Sequence, residues 1–278
     1  MKSILDIRLR EGDPYFKYNS INKILDQLKT KTYIPKKLGL LDKEITRVSI
    51  PPNYNKDAYS YNILRVIGRA RWSSVSVRGN RLYDLDYLDS FQKNVLSFCI
   101  VRSMSIILIN NKKTVKNSVI AIEDGGNTNN LSLIEECAKY TKRIVLVTRN
   151  FKNVNNIRSH ILLNYGVSPE FTTNINDTKG IDFIISDKAK SYGDIGVWYL
   201  DSFYEPEQFS NLAVNDVLLS INDYGERVSP ELLGALLKSD INISKRVEDF
   251  FDSNKINIEE IRFGKKEIDI NSYWHVIA

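Results

Sequence analysis

The stretch of residues 119–150, VIAIEDGGNTNNLSLIEECAKYTKRIVLVTRN, decides the fold that this sequence predicts. It opens with a short run of mostly branched apolar residues that ends at Gly125-Gly126. An amphipathic segment follows, and a second apolar run closes on Thr148-Arg149-Asn150. Two such runs, separated by a glycine turn and a helical segment, predict a strand–turn–helix–strand unit whose strands are parallel.

The same alternation continues beyond this unit. Further apolar runs at 182–186, 196–200 and 216–221 predict strands, and the segment 153–165 predicts a second helix. Short strands separated by helices build a parallel sheet with right-handed crossovers. We therefore expect a Rossmann-like, dinucleotide-type domain over residues 113–225.

The N-terminal part has a mixed pattern. Its predicted elements are a helix over 21–28, a strand over 45–50, a β-hairpin over 73–85 that turns at Gly79-Asn80, and a helix over 88–104. The fold class is therefore α/β, with an N-terminal α+β lobe over 1–112 preceding the Rossmann-like domain. Residues 226–278 form a C-terminal helical extension, whose first helix begins at Pro230.

Composition narrows the class of protein. The chain has 278 residues, of which 42% are hydrophobic and 26% charged, and its net charge of +5 does not demand a nucleic-acid partner. Cys99 and Cys137 suggest no disulfide framework, and they form no metal-binding pattern with His160 and His275. The longest apolar stretch, 95–110, is too short and too interrupted for a membrane span. We expect a cytoplasmic protein without a metal ion.

The glycine turn departs from a working dinucleotide turn, which needs three small residues. If Gly125 takes the middle position, Glu123 stands at the first and Thr128 at the third. Glu123 and Asp124 would then lie where phosphate should sit, and like charges oppose binding there by roughly a few kcal/mol. Two interpretations stay open: a surviving cofactor site at Gly125 and Gly126, or a sharp turn whose carboxylates cap the helix.

Arg149 favours the cofactor. It follows the second strand, where a nucleotide's ribose would lie, and an arginine there accommodates a 2′-phosphate. Thr148 stands beside it, and Ser186, at the end of the third strand, would border a nicotinamide. The alternative is that Arg149 is a solvated residue after a strand.

Several segments occur in a recognisable order. They are Gly12-Asp13-Pro14, Val48-Ser49-Ile50-Pro51, the stretch VRGNRLYD at 77–84, Gly125-Gly126, Thr148-Arg149-Asn150 and the stretch VWYLDSFYEP at 197–206. This order resembles the shikimate/quinate dehydrogenase family. The resemblance implies an N-terminal substrate domain, a Rossmann domain that binds NADP, and hydride transfer between NADP(H) and a ring carbonyl.

The resemblance also implies site residues, and here the sequence departs from the family. The catalytic lysine corresponds to Lys56, but residues 52–55 separate it from Pro51. The catalytic aspartate corresponds to one of the three in LYDLDYLD, such as Asp86. Of the paired serines that hold the substrate carboxylate, Ser20 alone remains.

Three hypotheses of function follow. The first is a degenerate shikimate-dehydrogenase-like protein that acts as a binding or regulatory module, because the departures remove substrate recognition and acid–base chemistry together. The second is an active NADP-dependent oxidoreductase. The third is a binder of nucleic acid or another anion through the arginines of residues 65–81, namely Arg65, Arg69, Arg71, Arg78 and Arg81. The low net charge makes nucleic acid the weaker choice, and an acidic small molecule is the expected partner.

Overall fold

A computed structural model of the chain describes residues 3–38, 43–202, 204, 213–221, 227–238, 247–253, 256–264 and 266–268. The elements of the N-terminal lobe are β1 (Ile4–Leu9), α1 (Ser20–Lys29), β2 (Lys31–Thr32), β3 (Lys36–Leu38), β4 (Lys43–Ile50), α2 (Lys56–Ile67), β5 (Ser74–Arg78), α3 (Arg81–Asp84) and α4 (Ser90–Asn110). β1 lies between β4 and β5 and is parallel to both, whereas β2 and β3 pair antiparallel with the outer side of β4.

The second sheet confirms the Rossmann-like domain. Its elements are β6 (Val119–Glu123), α5 (Leu131–Tyr140), β7 (Arg143–Val147), α6 (Phe151–Tyr165), β8 (Glu170–Thr172), β9 (Phe183–Ser186), β10 (Gly196–Tyr199) and β11 (Ala213–Val214). The strand order is β11-β10-β9-β6-β7-β8, and each neighbouring pair is parallel. The strand order reverses between β6 and β9: β7 and β8 follow β6 toward one edge of the sheet, and β10 and β11 follow β9 toward the other. Ligands bind at such a reversal in folds of this type.

The strand predicted at 216–221 exists but belongs elsewhere. It is β12 (Asp216–Ile221), and it pairs antiparallel with β13 (Ile256–Phe263), which is followed by β14 (Lys266–Ile268). An apolar run does not specify its partner, so the sequence could not separate β12 from the parallel sheet. The C-terminal part therefore contains strands beside α7 (Pro230–Lys238) and α8 (Val247–Ser253).

The hairpin predicted over 73–85 is wrong in its second half. β5 forms its first strand, but the chain then enters α3 instead of returning as a strand. The Asn80 side chain accepts a hydrogen bond from the Leu82 N–H at 3.0 Å, so Asn80 caps a helix instead of making a hairpin turn. The helix predicted over 88–104 is confirmed as α4, which runs on to Asn110.

α4 is the central helix of the core. Its side chains Val95, Cys99 and Met104 are fully buried in a cluster that also contains Ile120 of β6 and Leu233 of α7. Within the described ranges, α4 is also the helix long and apolar enough to cross a membrane by length and composition, but 67% of the relevant window is buried inside the protein. Such burial is typical of a core helix in a folded domain.

α1 turns its apolar side chains outward. Ile21 is 70% exposed and Leu28 is 75% exposed, whereas the buried residue of the helix is Asp26. The Asp26 carboxylate accepts hydrogen bonds from the Tyr15 hydroxyl and from the Nδ2 groups of Asn53 and Asn62, the latter two at 3.0 and 2.9 Å. The predicted helix is confirmed, but polar contacts hold it to the lobe.

The orientation of α1, with Asp26 buried and Leu28 exposed, can be tested by substitution. Asp26→Ala should lower the free energy of unfolding by about 3 kcal/mol, because three donors lose their acceptor. Leu28→Ser, on the same helix, should change it by no more than about 0.5 kcal/mol. Equilibrium unfolding in urea measures both values, and equal losses in the two variants would contradict the orientation of α1.

Candidate functional site

The crevice over β6 is the first candidate site. Loops after β6, β7, β8 and β9 enclose a cavity of about 400 Å³ at the carboxyl ends of these strands. It is lined by Asp124, Val147, Thr148, Arg149, Thr173, Asp187 and Lys188. Position and size fit a small-molecule site in a doubly wound sheet.

The two glycines of the turn are required by packing against β7. A Cβ atom on Gly125 would lie 2.8 Å from the Cβ atom of Leu146, and one on Gly126 would lie 2.7 Å from Oγ1 of Thr148. Real Cβ atoms do not approach other atoms so closely. The glycines therefore allow the turn to touch the neighbouring strand, whether or not a ligand is bound.

The turn also uses most of its own backbone donors. The Gly125 N–H donates to the Val147 carbonyl at 3.2 Å, and the Asn127 N–H donates to the Asp124 carbonyl at 2.9 Å. The N–H groups of Asn129 and Asn130 both donate to Asn127, to its side-chain and main-chain oxygens respectively. A phosphate cradle needs such donors free.

Glu123, at the end of β6, is 1% exposed and is surrounded by hydrogen-bond donors. Its carboxylate accepts hydrogen bonds from Ser186 Oγ at 2.6 Å, from the Tyr192 hydroxyl and from Lys188 Nζ at 3.1 Å. Lys190 Nζ lies 3.4 Å away. Three of these four residues come from the segment 187–195, which joins β9 to β10 and folds back over the end of β6.

The electrostatics of the crevice follow from this cluster. Burial alone would raise the pKa of Glu123, but hydrogen bonds from Ser186, Tyr192 and Lys188 outweigh it and hold the pKa below the usual value, so the group is a carboxylate. Burial raises the pKa of Asp187, and the negative charges of Asp124 and Glu123 raise it further. The carboxylates of Glu123, Asp124 and Asp187 therefore disfavour further negative charge beside them.

The predicted cofactor residues are Gly125, Gly126, Thr148, Arg149 and Ser186, and two of the five line this crevice. Thr148 and the exposed Arg149 line it. Ser186 is buried and bound to Glu123, so its hydroxyl is engaged within the protein. Sequence reasoning missed Tyr192 and Lys188, because the segment 187–195 has no regular pattern that would mark it as part of a site.

The predicted catalytic residues Lys56 and Asp86 are not brought together. Lys56 is exposed at the first turn of α2, where Asn55 caps the helix, and its Nζ lies 6.0 Å from the ring of Tyr83. Asp86 accepts a hydrogen bond from Nδ2 of Asn129 at 2.7 Å. In the described part of the chain no hydrogen bond or ion pair joins Lys56 to an aspartate, so the pair lacks the contact that a proton relay requires.

A different aspartate of that segment is buried. Asp84 is 0% exposed and accepts hydrogen bonds from the Tyr59 hydroxyl and from the Gly79 N–H, the latter at 2.7 Å. Burial raises the pKa of Asp84 to about 7, because the hydrogen bonds offset only part of the lost hydration. The sequence could not distinguish Asp84 from Asp86 and Asp89, since none of the three has the neighbours that the family's motif carries.

The arginines of residues 65–81 do not form one surface. Arg65 and the exposed Arg69 and Arg71 lie before the start of β5, whereas Arg78 and Arg81 lie at and beyond its other end. The two groups are separated by about 13 Å along a strand of five residues, and Arg81 is not available to an anionic partner on an exposed face.

Arg81 is instead buried between the lobes and is 2% exposed. Its Nε, Nη1 and Nη2 atoms donate to Glu231 Oε1, to the Asn215 carbonyl and to Asp216 Oδ1, each at 2.6 Å. The guanidinium group also lies 5.3 Å from the ring of Trp198. Arg78 binds the other oxygen of Asp216.

A second cavity of about 300 Å³ lies beside this network, between the lobes. Its lining includes Arg8, Tyr54 and Arg78 from the first lobe, and Ser202 and Asn215 from the rest of the chain. Phe203 and residues 205–206, which carry part of the family resemblance, lie outside the described residues. Within the described ranges, no group of three His, Cys, Asp or Glu side chains is arranged to hold a metal ion.

Comparisons with known proteins do not identify a family or an activity for this chain. No protein-family model matches the chain, and no curated protein matches it. Among solved structures, the chain is similar to L-tryptophan dehydrogenase from Nostoc punctiforme, with 10% sequence identity and a TM-score of 0.33 over 74% of this chain. The match spans 66% of that dehydrogenase. A likeness of this size transfers no activity.

Asp84 gives a pH-dependent prediction. Between its unfolded pKa of about 4 and its folded pKa of about 7, the folded protein holds a proton that the unfolded chain releases. The free energy of unfolding should therefore fall as pH rises through this window, by on the order of a few kcal/mol. In Asp84→Asn the fall should be smaller, while the exposed control Asp177→Asn keeps it. Parallel stability curves for wild type and Asp84→Asn between about pH 5 and 8 would disprove this assignment.

Proposed function

We propose that this chain is a degenerate, shikimate-dehydrogenase-like Rossmann protein that no longer uses a nicotinamide cofactor and acts as a binding or regulatory module. One observation carries the proposal: the carboxylate of Glu123 stands at the end of the first Rossmann strand, held by Ser186, Tyr192 and Lys188. In a working dinucleotide fold, a glycine stands there and the pyrophosphate lies close by.

The ion pairs of this cluster argue against a second anion, because its cations already have a partner. Lys188 and Lys190, two cations that could attract a phosphate, already lie within 3.4 Å of the Glu123 carboxylate. A pyrophosphate would have to displace that carboxylate or face it, together with Asp124 and Asp187. Like charges about 4 Å apart repel by about 4 kcal/mol near a protein surface.

The remaining parts of a dehydrogenase site support the same conclusion. The N–H groups of Gly125, Asn127 and Asn129 donate to acceptors within the turn and β7, and among the described residues no hydrogen bond or ion pair joins Lys56 to an aspartate. The turn thus has fewer free donors for a cofactor phosphate, and in the described part of the chain Lys56 lacks the aspartate partner that acid–base chemistry needs. The residues present do not fit NADP, and we assign them no catalytic step.

The alternative is an active NADP-dependent oxidoreductase on a ring keto or hydroxy acid. Its specific support is Arg149, which lines the crevice at the place where a 2′-phosphate would lie. This support is one exposed residue, whereas the degenerate interpretation rests on a buried cluster.

Titration with NADPH and NADP⁺, followed by cofactor fluorescence and by calorimetry, separates the two functions. We expect no saturable binding, or a Kd weaker than about 1 mM. Low-micromolar binding that is lost in Arg149→Ala would contradict the proposal and establish the oxidoreductase.

A gain of binding tests the role of Glu123 directly. Glu123→Gly removes the buried carboxylate and releases Lys188 and Lys190, so it should strengthen NADPH binding by at least about tenfold. Glu123→Gln, which keeps the side-chain length but removes the charge, should give a smaller gain. If wild type and both folded variants bind NADPH equally, Glu123 is not what prevents binding.

A further inference from the structure

The uncovered half of the N-terminal sheet carries a row of arginines. Arg8 on β1 stands directly opposite Arg78 on β5, and Arg47 on β4 stands opposite Asp6, two residues before Arg8. Side chains two residues apart on a strand share a face, so all these groups project from the same side of the sheet. The other side packs Leu5 against α2.

The carboxylate of Asp6 serves two of these arginines with a single oxygen. Asp6 is 0% exposed, and its Oδ2 atom accepts hydrogen bonds from Nε of Arg8 at 2.8 Å and from Nε of Arg47 at 3.1 Å. Among the described residues, no acceptor is recorded for the terminal nitrogens of Arg8 or Arg47. Those nitrogens are the planar pairs that bind carboxylate and phosphate in proteins.

Negative charge is in deficit on this face. Burial lowers the pKa of Arg8, and the neighbouring charges of Arg47 and Arg78 lower it further, against the opposing effect of Asp6. Arg78 shares Asp216 with the buried Arg81, so that carboxylate is also divided between two cations. Like charges on adjacent strands repel one another unless an anion lies between them.

A cavity lies over this face. It has a volume of about 650 Å³, within the range of small-molecule sites. We call it the basic groove and define it by its lining residues Arg8, Leu9, Tyr33, Ile34, Lys36, Ile45, Arg47, Ser49 and Arg227. Four of these side chains are cationic, while others offer an aromatic ring and aliphatic surface. Ser49 Oγ donates to the Tyr33 hydroxyl at 3.2 Å, which places two hydroxyl groups in the same wall.

We infer that the basic groove binds a small organic anion, with its carboxylate or phosphate held by Arg8 and Arg47 and its apolar body against Tyr33 and Ile45. Asp6 is a positioning residue, because it holds both guanidinium groups by Nε and leaves their terminal nitrogens available. The inference supplies a ligand class for the proposed binding module. It concerns a different lobe from the nucleotide crevice and holds whether or not NADP binds.

The groove differs from the crevice in its balance of charge. In the crevice, Asp124 and Asp187 line the cavity together with Arg149 and Lys188. In the basic groove, the lining residues include four cations and no carboxylate. Asp6 pairs with Arg8 and Arg47 from beneath, and Glu259 and Glu260 pair with Arg227. An anion is therefore favoured in the groove and opposed in the crevice.

Calorimetric titration of the full chain with two probes of the same shape tests this site. Benzoate and phenyl phosphate carry the two candidate anions on one ring, and benzyl alcohol is the neutral control. At least one of the two anions should bind saturably, and raising the salt concentration should weaken it. Benzyl alcohol should not bind. The preferred probe identifies whether the natural ligand presents a carboxylate or a phosphate.

Arg47→Gln is the decisive variant, since the Arg47 side chain is 48% exposed and its loss should leave the fold intact. It should weaken the preferred probe by at least about tenfold. The matched control Arg71→Gln, an exposed arginine before the other end of β5, should bind it as the wild type does. Absence of saturable binding by either anion, or equal affinity in wild type and Arg47→Gln, would overturn the inference. NADPH binding measured on the same samples reports separately on the proposed loss of the cofactor.

Discussion

The buried guanidinium group of Arg81 is the interaction on which the arrangement of the two lobes depends. It reaches from α3 of the first lobe to Glu231 of α7 and Asp216 of β12, and Trp198 of the Rossmann sheet lies against it. Burial alone would lower the pKa of Arg81, but the two carboxylates raise it, so the group remains charged. A buried charge that loses its partners costs about 3–5 kcal/mol, so the lobes are held in one relative position.

Internal partners also determine which of the possible binding sites is open to a ligand. Arg81 is satisfied by three acceptors of the chain itself, and the end of β6 is filled by the Glu123 carboxylate with its own donors. At both places an internal group does what a ligand would otherwise do. Arg8 and Arg47 are different, because they share one oxygen of Asp6 and keep their terminal nitrogens at the surface of a cavity. Whether a site can take a ligand therefore depends on how many of its polar groups are already bound within the protein, and the fold alone does not decide it.

The sequence predicted the Rossmann-like domain because its strands are short apolar runs at regular spacing, and β6 has the predicted bounds 119–123. It failed where one pattern permits two outcomes. Asn80 serves equally in a hairpin turn or as a helix cap, and the run 216–221 is apolar in either sheet. α1 was predicted from its apolar periodicity, but its buried contacts are made by Asp26. Periodicity shows that a helix has two faces and does not show which one a protein buries.

The candidate site was predictable only in part. Glu123 was recognisable as a departure from a glycine turn, and Arg149, predicted at the end of the second strand, lines the crevice, while its role there stays a prediction. The donors that stabilise Glu123 were not, because Lys188 and Tyr192 belong to an irregular segment far along the chain. The arginines of β1 and β4 were also missed, because pairing across parallel strands brings together residues about forty positions apart.

The most direct measurement of the central claim is a crystal structure of the protein grown with saturating NADPH. The account predicts that Glu123 keeps its hydrogen bonds to Ser186 and Tyr192 and that no pyrophosphate lies over Gly125. Density for a pyrophosphate at that turn, with Glu123 displaced from its partners and Arg149 on a 2′-phosphate, would contradict it.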